Sequence, residues 1–135
     1  MRYLLPLFFL IVIISCSVQK QENKGGFESS KTKNDTIRIA NDSLEYEIII
    51  IEPGFEAWLA TQRPRGYYNQ NFLEQRNILF VTIYNQRVLS AFQYNPNLYQ
   101  QQIDYKFNVD YGYEVNYLLY NYFMYFQQKY RQRLR

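Results

Sequence analysis

Apolar and polar positions divide the chain into three stretches. Leu4 to Ile14 (LLPLFFLIVII) is an unbroken apolar run of 11 residues. As a helix it would span roughly 16 Å, about half of a ~30 Å hydrocarbon core, which fits the apolar part of a secretory signal better than a membrane span. Ser17 to Asp35 is polar, with Gly25-Gly26 and Ser29-Ser30 and one aromatic, Phe27. It buries too little to offset its ordering entropy and reads as a flexible tether with an r.m.s. reach of about 25 Å; the competing reading is an N-terminal arm docked on the domain. From Thr36 onward the pattern becomes that of a folded domain.

Thr36 to Ala40 alternates with period two, and so does Leu44 to Ile48, which continues into Ile49-Ile50-Ile51. Asn41-Asp42-Ser43 between them is turn chemistry, so a β-hairpin is predicted. Its second strand is expected to be the central strand of a sheet. The half from Ile48 to Ile51, apolar on both faces, should then be covered on both sides. Phe55, Trp58 and Leu59 share one stripe of a short helix over about 54–62. A second helix runs from a cap at Asn69 or Asn71 to about Phe92, lined by Leu73, Phe80, Tyr84, Val88 and Ala91. Ile78 to Tyr84 is also good strand material, but its flanks carry no turn residues. Asn95-Pro96-Asn97 is a turn, and Ile103, Tyr105, Phe107 and Val109 alternate as in a strand. Asp110 is expected to cap a helix from 111 to about 133, with Val115, Leu119, Tyr122, Phe126 and Tyr130 as its buried stripe. The predicted organisation is a leader over 1–15, an anchored tether over 16–35, and one α+β domain over 36–135: a hairpin or short sheet packed with about three helices.

Composition removes most catalytic classes. The chain has 135 residues, room for one domain, with no His and one Cys. There is thus no Ser-His-Asp or Cys-His pair, no imidazole metal site and no intramolecular disulfide. Calcium-loop and glycine-rich phosphate signatures are absent, so neither a metal nor a cofactor is expected. A net charge of +3 is too small to steer the chain to nucleic acid. Residues 42–56 hold five acids and no bases, whereas 57–135 hold nine bases and four acids. Glu52 with Glu56, or Asp104 with Asp110, can be drawn as a carboxylate pair, but any chain with this many acids offers such pairs, and no enzyme is expected. The basic end (Lys129, Arg131, Arg133, Arg135) suits a helix C-terminus.

Ile13-Ile14-Ser15-Cys16 resembles the lipobox of bacterial lipoproteins. That resemblance implies cleavage before Cys16, a diacylglycerol thioether on its sulfur and an acylated (typically palmitoylated) new N-terminus. Two or three chains at roughly 0.8 kcal/mol per buried CH₂ hold a protein stably to a membrane. Ser17, where an acid would retain a lipoprotein at the inner membrane, implies sorting to the outer membrane, with the periplasmic or surface face left open. The run from Asn41 to Ile50 with Pro53-Gly54-Phe55, together with Gly66-Tyr67-Tyr68, Asn85-Gln86-Arg87 and Tyr111 to Tyr117, resembles a small family of uncharacterised lipoproteins from Bacteroidota, a domain of unknown function. It implies no activity and no functional residues.

The remaining excess is aromatic, 15 Tyr and 10 Phe. Tyrosine offers a flat apolar face with a polar tip, suited to sugar rings or peptide segments. Tyr67, Tyr68, Tyr113 and Tyr117 are the candidate ligand-binding set. The expected function is a non-catalytic, lipid-anchored module contacting another envelope protein; the alternative is a tyrosine-lined module for glycan or peptidoglycan. The alternative requires two or three exposed, roughly coplanar rings around a concavity.

Overall fold

The computed structural model describes residues 36–135. The leader, Cys16 and the tether lie outside the described residues. The domain is α+β: a two-stranded antiparallel sheet and three helices. Strand β1 (Thr36–Asn41) pairs with β2 (Tyr46–Ile51) in a register that sets Ile37 opposite Ile50 and Ile39 opposite Ile48. Directly opposed residues share a face, so these four isoleucines form the inner face. The turn between the strands is closed by Asn41, whose side-chain oxygen accepts the Ser43 N–H at 3.0 Å, and by Glu45 in the left-handed region at φ 51°.

Among the described residues the sheet has these two strands alone, so β2 is an edge there and not the central strand expected. Its outer face is also uncovered, with Ile49 63% and Ile51 75% exposed. The apolar run is therefore buried on one face only. The outer face keeps its polar character at the other end, where Arg38 pairs with Glu47 and with Asp42.

Helix α1 (Phe55–Leu59) follows Pro53-Gly54 and buries Phe55. Helix α2 (Gln70–Val88) is capped by Asn69, whose side chain accepts the Phe72 N–H at 2.8 Å. Residues 78–84 are helical, and Leu73, Phe80 and Tyr84 are buried as their spacing predicts. The helix stops at Val88 rather than near Phe92, and Ala91 and Phe92 are exposed.

Helix α3 (Gly112–Lys129) is the centre of the domain: it packs on α2, on β1 and on α1. Val115, Leu119, Phe123 and Phe126 are each no more than 1% exposed. Asp110 accepts the Gly112 N–H at 2.9 Å, one residue outside the helix's own cap, Tyr111. The helix ends at Lys129 rather than near 133. Arg131 turns left-handed at φ 52°, and the Gln132 N–H reaches back to the Gln127 carbonyl at 3.0 Å while the Arg131 N–H reaches Gln128 at 3.4 Å. This is a Schellman closure with arginine where glycine is usual. It turns the chain so that Leu134 is buried. Arg131, Arg133 and Arg135 thus lie beyond the helix.

The strand expected over Ile103 to Val109 does not form. Its backbone groups find side-chain partners instead. The Asn85 amide both donates to the Ile103 carbonyl at 2.8 Å and accepts the Ile103 N–H at 2.9 Å, and the Tyr111 hydroxyl accepts the Lys106 N–H at 2.9 Å. Ile103 is buried, yet Phe107 points to solvent, 82% exposed.

Candidate functional site

The four sequence-selected tyrosines fall at one end of α3, but they do not form a platform. Tyr67 and Tyr68 lie edge to face, with ring planes at 88°. Tyr113 and Tyr117 are stacked at 6.1 Å, and Tyr117 is only 4% exposed. The hydroxyls of the second pair are used within the fold. Tyr113 accepts the Gly66 N–H at 2.6 Å and donates to the Tyr68 carbonyl at 3.2 Å; Tyr117 donates to the Arg63 carbonyl at 3.0 Å. Arg65 lies over the Tyr117 ring and forks onto Glu114 with contacts of 2.5 and 2.8 Å. Together these groups fasten residues 63–68 to α3. Tyr67, 55% exposed, is the most open residue of the four, and the Arg63 guanidinium lies over its ring, 4.7 Å from the centroid.

The carboxylate pairs drawn from the sequence are not built either. Asp104 is exposed, and Asp110 accepts from Gln70 at 2.7 Å as well as from Gly112. Glu56 is exposed, whereas Glu52 is buried.

Glu52 marks a different site. A cavity of about 520 Å³ lies beside the hairpin. One wall is β2, through the consecutive residues Ile48, Ile49, Ile50 and Ile51; the facing wall is the irregular segment from Asn95 to Ile103; the floor is Tyr84 of α2 with Tyr122, Phe126 and Tyr130 of α3 and its cap. No residue of β1 lines it, so the cavity runs along the edge of β2 that has no strand partner. The facing wall is held in place by Asn85 and by Arg87, which donates to the Tyr99 hydroxyl at 2.7 Å and the Arg133 carbonyl at 2.5 Å and lies 4.9 Å from the Tyr94 ring.

Glu52 closes one end of this cavity with its side chain 8% exposed. Its Oε1 accepts from Lys129 Nζ at 2.6 Å and from the Tyr130 hydroxyl at 2.8 Å. Its Oε2 has no hydrogen-bond partner among the described residues. Burial draws the Lys129 ammonium toward the neutral form, but the hydrogen bond and charge of Glu52 outweigh it, and the ammonium is held above its ordinary range. Burial pushes the Tyr122 phenol well above its ordinary value, with the charges of Tyr84 and Glu52 adding to it; burial raises Tyr84 in the same direction. The site therefore offers a neutral phenolic floor, one partly satisfied carboxylate, a row of side-chain amides and an open strand edge. Among the described residues no group of three His, Cys, Asp or Glu is placed to hold a metal, and no helix is long and apolar enough to cross a membrane.

The sequence suggests Glu52 only as a chance carboxylate partner of Glu56, not as the buried acid of a cavity. The signal available was an acid directly after four isoleucines and before Pro53. Its partners lie 77 and 78 residues further along the chain.

The fold and cavity define a small α+β domain built on one central helix, with a groove at an open sheet edge. The chain belongs to a family of unknown function, DUF6146, whose family model matches residues 3–135. Comparison with curated proteins finds no match, and comparison with solved structures finds none.

Proposed function

We propose that this protein is a lipid-anchored envelope protein whose folded domain serves as a non-catalytic interaction module at the outer membrane. The observation that carries the anchor is the placement of the chain's single thiol. Cys16 follows Ile13-Ile14-Ser15 at the end of the apolar run Leu4–Ile14, and a polar stretch separates it from the domain. Ser17 at the next position favours outer-membrane sorting over inner-membrane retention. The domain's chemistry favours docking over catalysis. Glu47, Glu52 and Glu114 are each engaged in an ion pair, and burial holds Tyr84 and Tyr122 toward their neutral form. The groove beside β2 supplies the kind of surface a module of this class uses.

The test is the mass of the native protein together with metabolic labelling by radioactive palmitate. The expected product begins at Cys16, carries the added mass of a thioether-linked diacylglycerol, and takes up label; Cys16→Ala takes up none. A native protein that retains residues 1–15 with a free thiol refutes the reading. Crosslinking from intact envelopes, wild type against Cys16→Ala, then asks whether the domain's partner depends on the anchor.

A further inference from the structure

The groove beside β2 combines three recognition elements that the described residues leave wholly or partly unsatisfied. The first is main chain. A two-stranded sheet leaves one edge of each strand unpaired, and β2 presents its unpaired edge to the cavity over Ile48–Ile51. Unpaired strand N–H and C=O groups are a template for another extended chain. Four residues at about 3.3 Å each give roughly 13 Å of template, and a cavity of about 520 Å³ is within the size range of ligand sites. The second is the facing wall, where Asn95 and Gln100 bond within the wall at 2.9 and 2.8 Å but Asn97, Gln101 and Gln102 carry side-chain amides that can donate to and accept from a main chain laid along β2. The third is charge. Glu52 is the one Asp, Glu, Lys or Arg lining the cavity. Lys129 meets it only through Oε1, leaving Oε2 for a donor arriving through the groove.

We propose that the groove between the free edge of β2 and residues 95–103 binds an extended polypeptide segment, which adds as a third strand to β2 and directs a Lys or Arg side chain to the Glu52 carboxylate. This rests on the interaction-module reading and names the chemistry of the partner. The occupant is a segment and not the β2 edge of a second copy, because the wall at 95–103 stands opposite β2. Two folded copies brought edge to edge would set these walls against each other's hairpins. A lone extended chain fits between wall and edge. Its side chains would alternate between the phenolic floor at Tyr84 and Tyr122 and the solvent side beside the exposed Ile49 and Ile51.

The experiment uses the full chain purified in detergent and a phage-displayed library of random heptapeptides. Selected peptides are expected to alternate apolar residues around one Lys or Arg and to shift the backbone amide resonances of Ile48–Ile51. They should lose roughly tenfold or more in affinity for Glu52→Gln, which is about 1.4 kcal/mol. Gln at 52 retains an acceptor for Lys129 and Tyr130, and an unchanged circular dichroism spectrum verifies that the variant is folded. A second variant, Gln101→Lys, places a cation on the exposed lip and should weaken the same peptides without touching the core. The proposal is overturned if no peptide is enriched, if enriched peptides bind Glu52→Gln as tightly as wild type, or if the perturbed amides lie elsewhere. It is also overturned if sedimentation shows a dimer whose contact is Ile48–Ile51, since a second copy then fills the groove. An envelope partner that crosslinks away from β2 defeats this inference while leaving the module reading standing.

Discussion

Alkaline titration probes the packing of this domain more directly than any single core substitution. Tyr84 is 5% exposed and Tyr122 4%. Burial is the first cause raising both phenols; the Tyr84 charge raises Tyr122 further, while the hydrogen bond between them partly offsets the rise at Tyr84. Tyr46 and Tyr105, partly buried, are raised by burial in the same direction. In the unfolded chain a phenol loses its proton near pH 10. Between that pH and the folded value, the unfolded state binds fewer protons than the native one, so stability falls as pH rises. It is fully present below about pH 10. Tyr122, the more strongly raised of the two, removes about 1.4 kcal/mol per pH unit above that point. By pH 12 Tyr122 alone removes about 3 kcal/mol, a large share of the ~5–15 kcal/mol that holds a domain of this size folded, and Tyr84 acts in the same direction. Lys129, held above its ordinary range by Glu52, pushes the same way. The expectation is a cooperative loss of far-ultraviolet circular dichroism between about pH 11 and 12. A step in tyrosinate absorbance should accompany it, as buried phenols ionise on unfolding. Tyr122→Phe removes one of the two phenols and should flatten the decline by about 1.4 kcal/mol per pH unit, measured by urea unfolding at several pH values. Smooth ionisation of every phenol near pH 10 with the fold intact would refute the reasoning. So would a decline that Tyr122→Phe leaves unchanged.

Further outcomes follow from particular contacts. Phe123→Ala empties the centre of α3 against Phe80 and Tyr84 and should cost about 3–5 kcal/mol by urea unfolding. Glu45→Gly and Arg131→Gly each relieve a left-handed backbone at a side-chain-bearing residue and should each raise stability by about 0.5–1 kcal/mol. A loss of stability in either would show that the side chain does more than tolerate its turn. Asn77→Ala should cost about 2–3 kcal/mol, since its amide donates to the Asn116 carbonyl and side-chain oxygens at 3.0 and 3.1 Å inside the α2–α3 contact. The same unfolding assay checks it.

The parts of the fold legible in the sequence are those set by neighbours along the chain. The hairpin was readable because alternation and an Asn-Asp-Ser turn agree, and α3 because Val115, Leu119, Tyr122 and Phe126 keep one stripe. The turn-free flanks of Ile78–Tyr84 decided helix over strand, and Asn69 supplied the cap. The failures share one cause. Residues 103–109 alternate as well as β1 does, but alternation describes faces and not partners. Here the partner is the Asn85 side chain, which satisfies Ile103 without a ladder. The length of α3 depended on a left-handed arginine, which no helix-stop rule picks out. Ile48–Ile51 has the composition of a central strand, yet among the described residues no strand flanks it on the side away from β1.

The tyrosines show how far abundance falls short of a site. A phenol can bind a ligand only if its hydroxyl and face are free, and both are set by contacts distant in sequence. Tyr113 and Tyr117 meet residues 63–68 and are consumed in holding that loop. Tyr125 donates to the Pro53 carbonyl at 2.6 Å, and Tyr130 to Glu52. Each of these fastens a part of the chain to α3 through a hydroxyl that a phenylalanine would lack. The tyrosine excess thus substitutes for the second sheet layer this short domain does not have. One aromatic helix takes the place of a sheet's inner face, and its hydroxyls take the place of ladder bonds. Among the described residues β2 keeps an edge with no strand partner. The helix supplies the core of the described domain without a third strand.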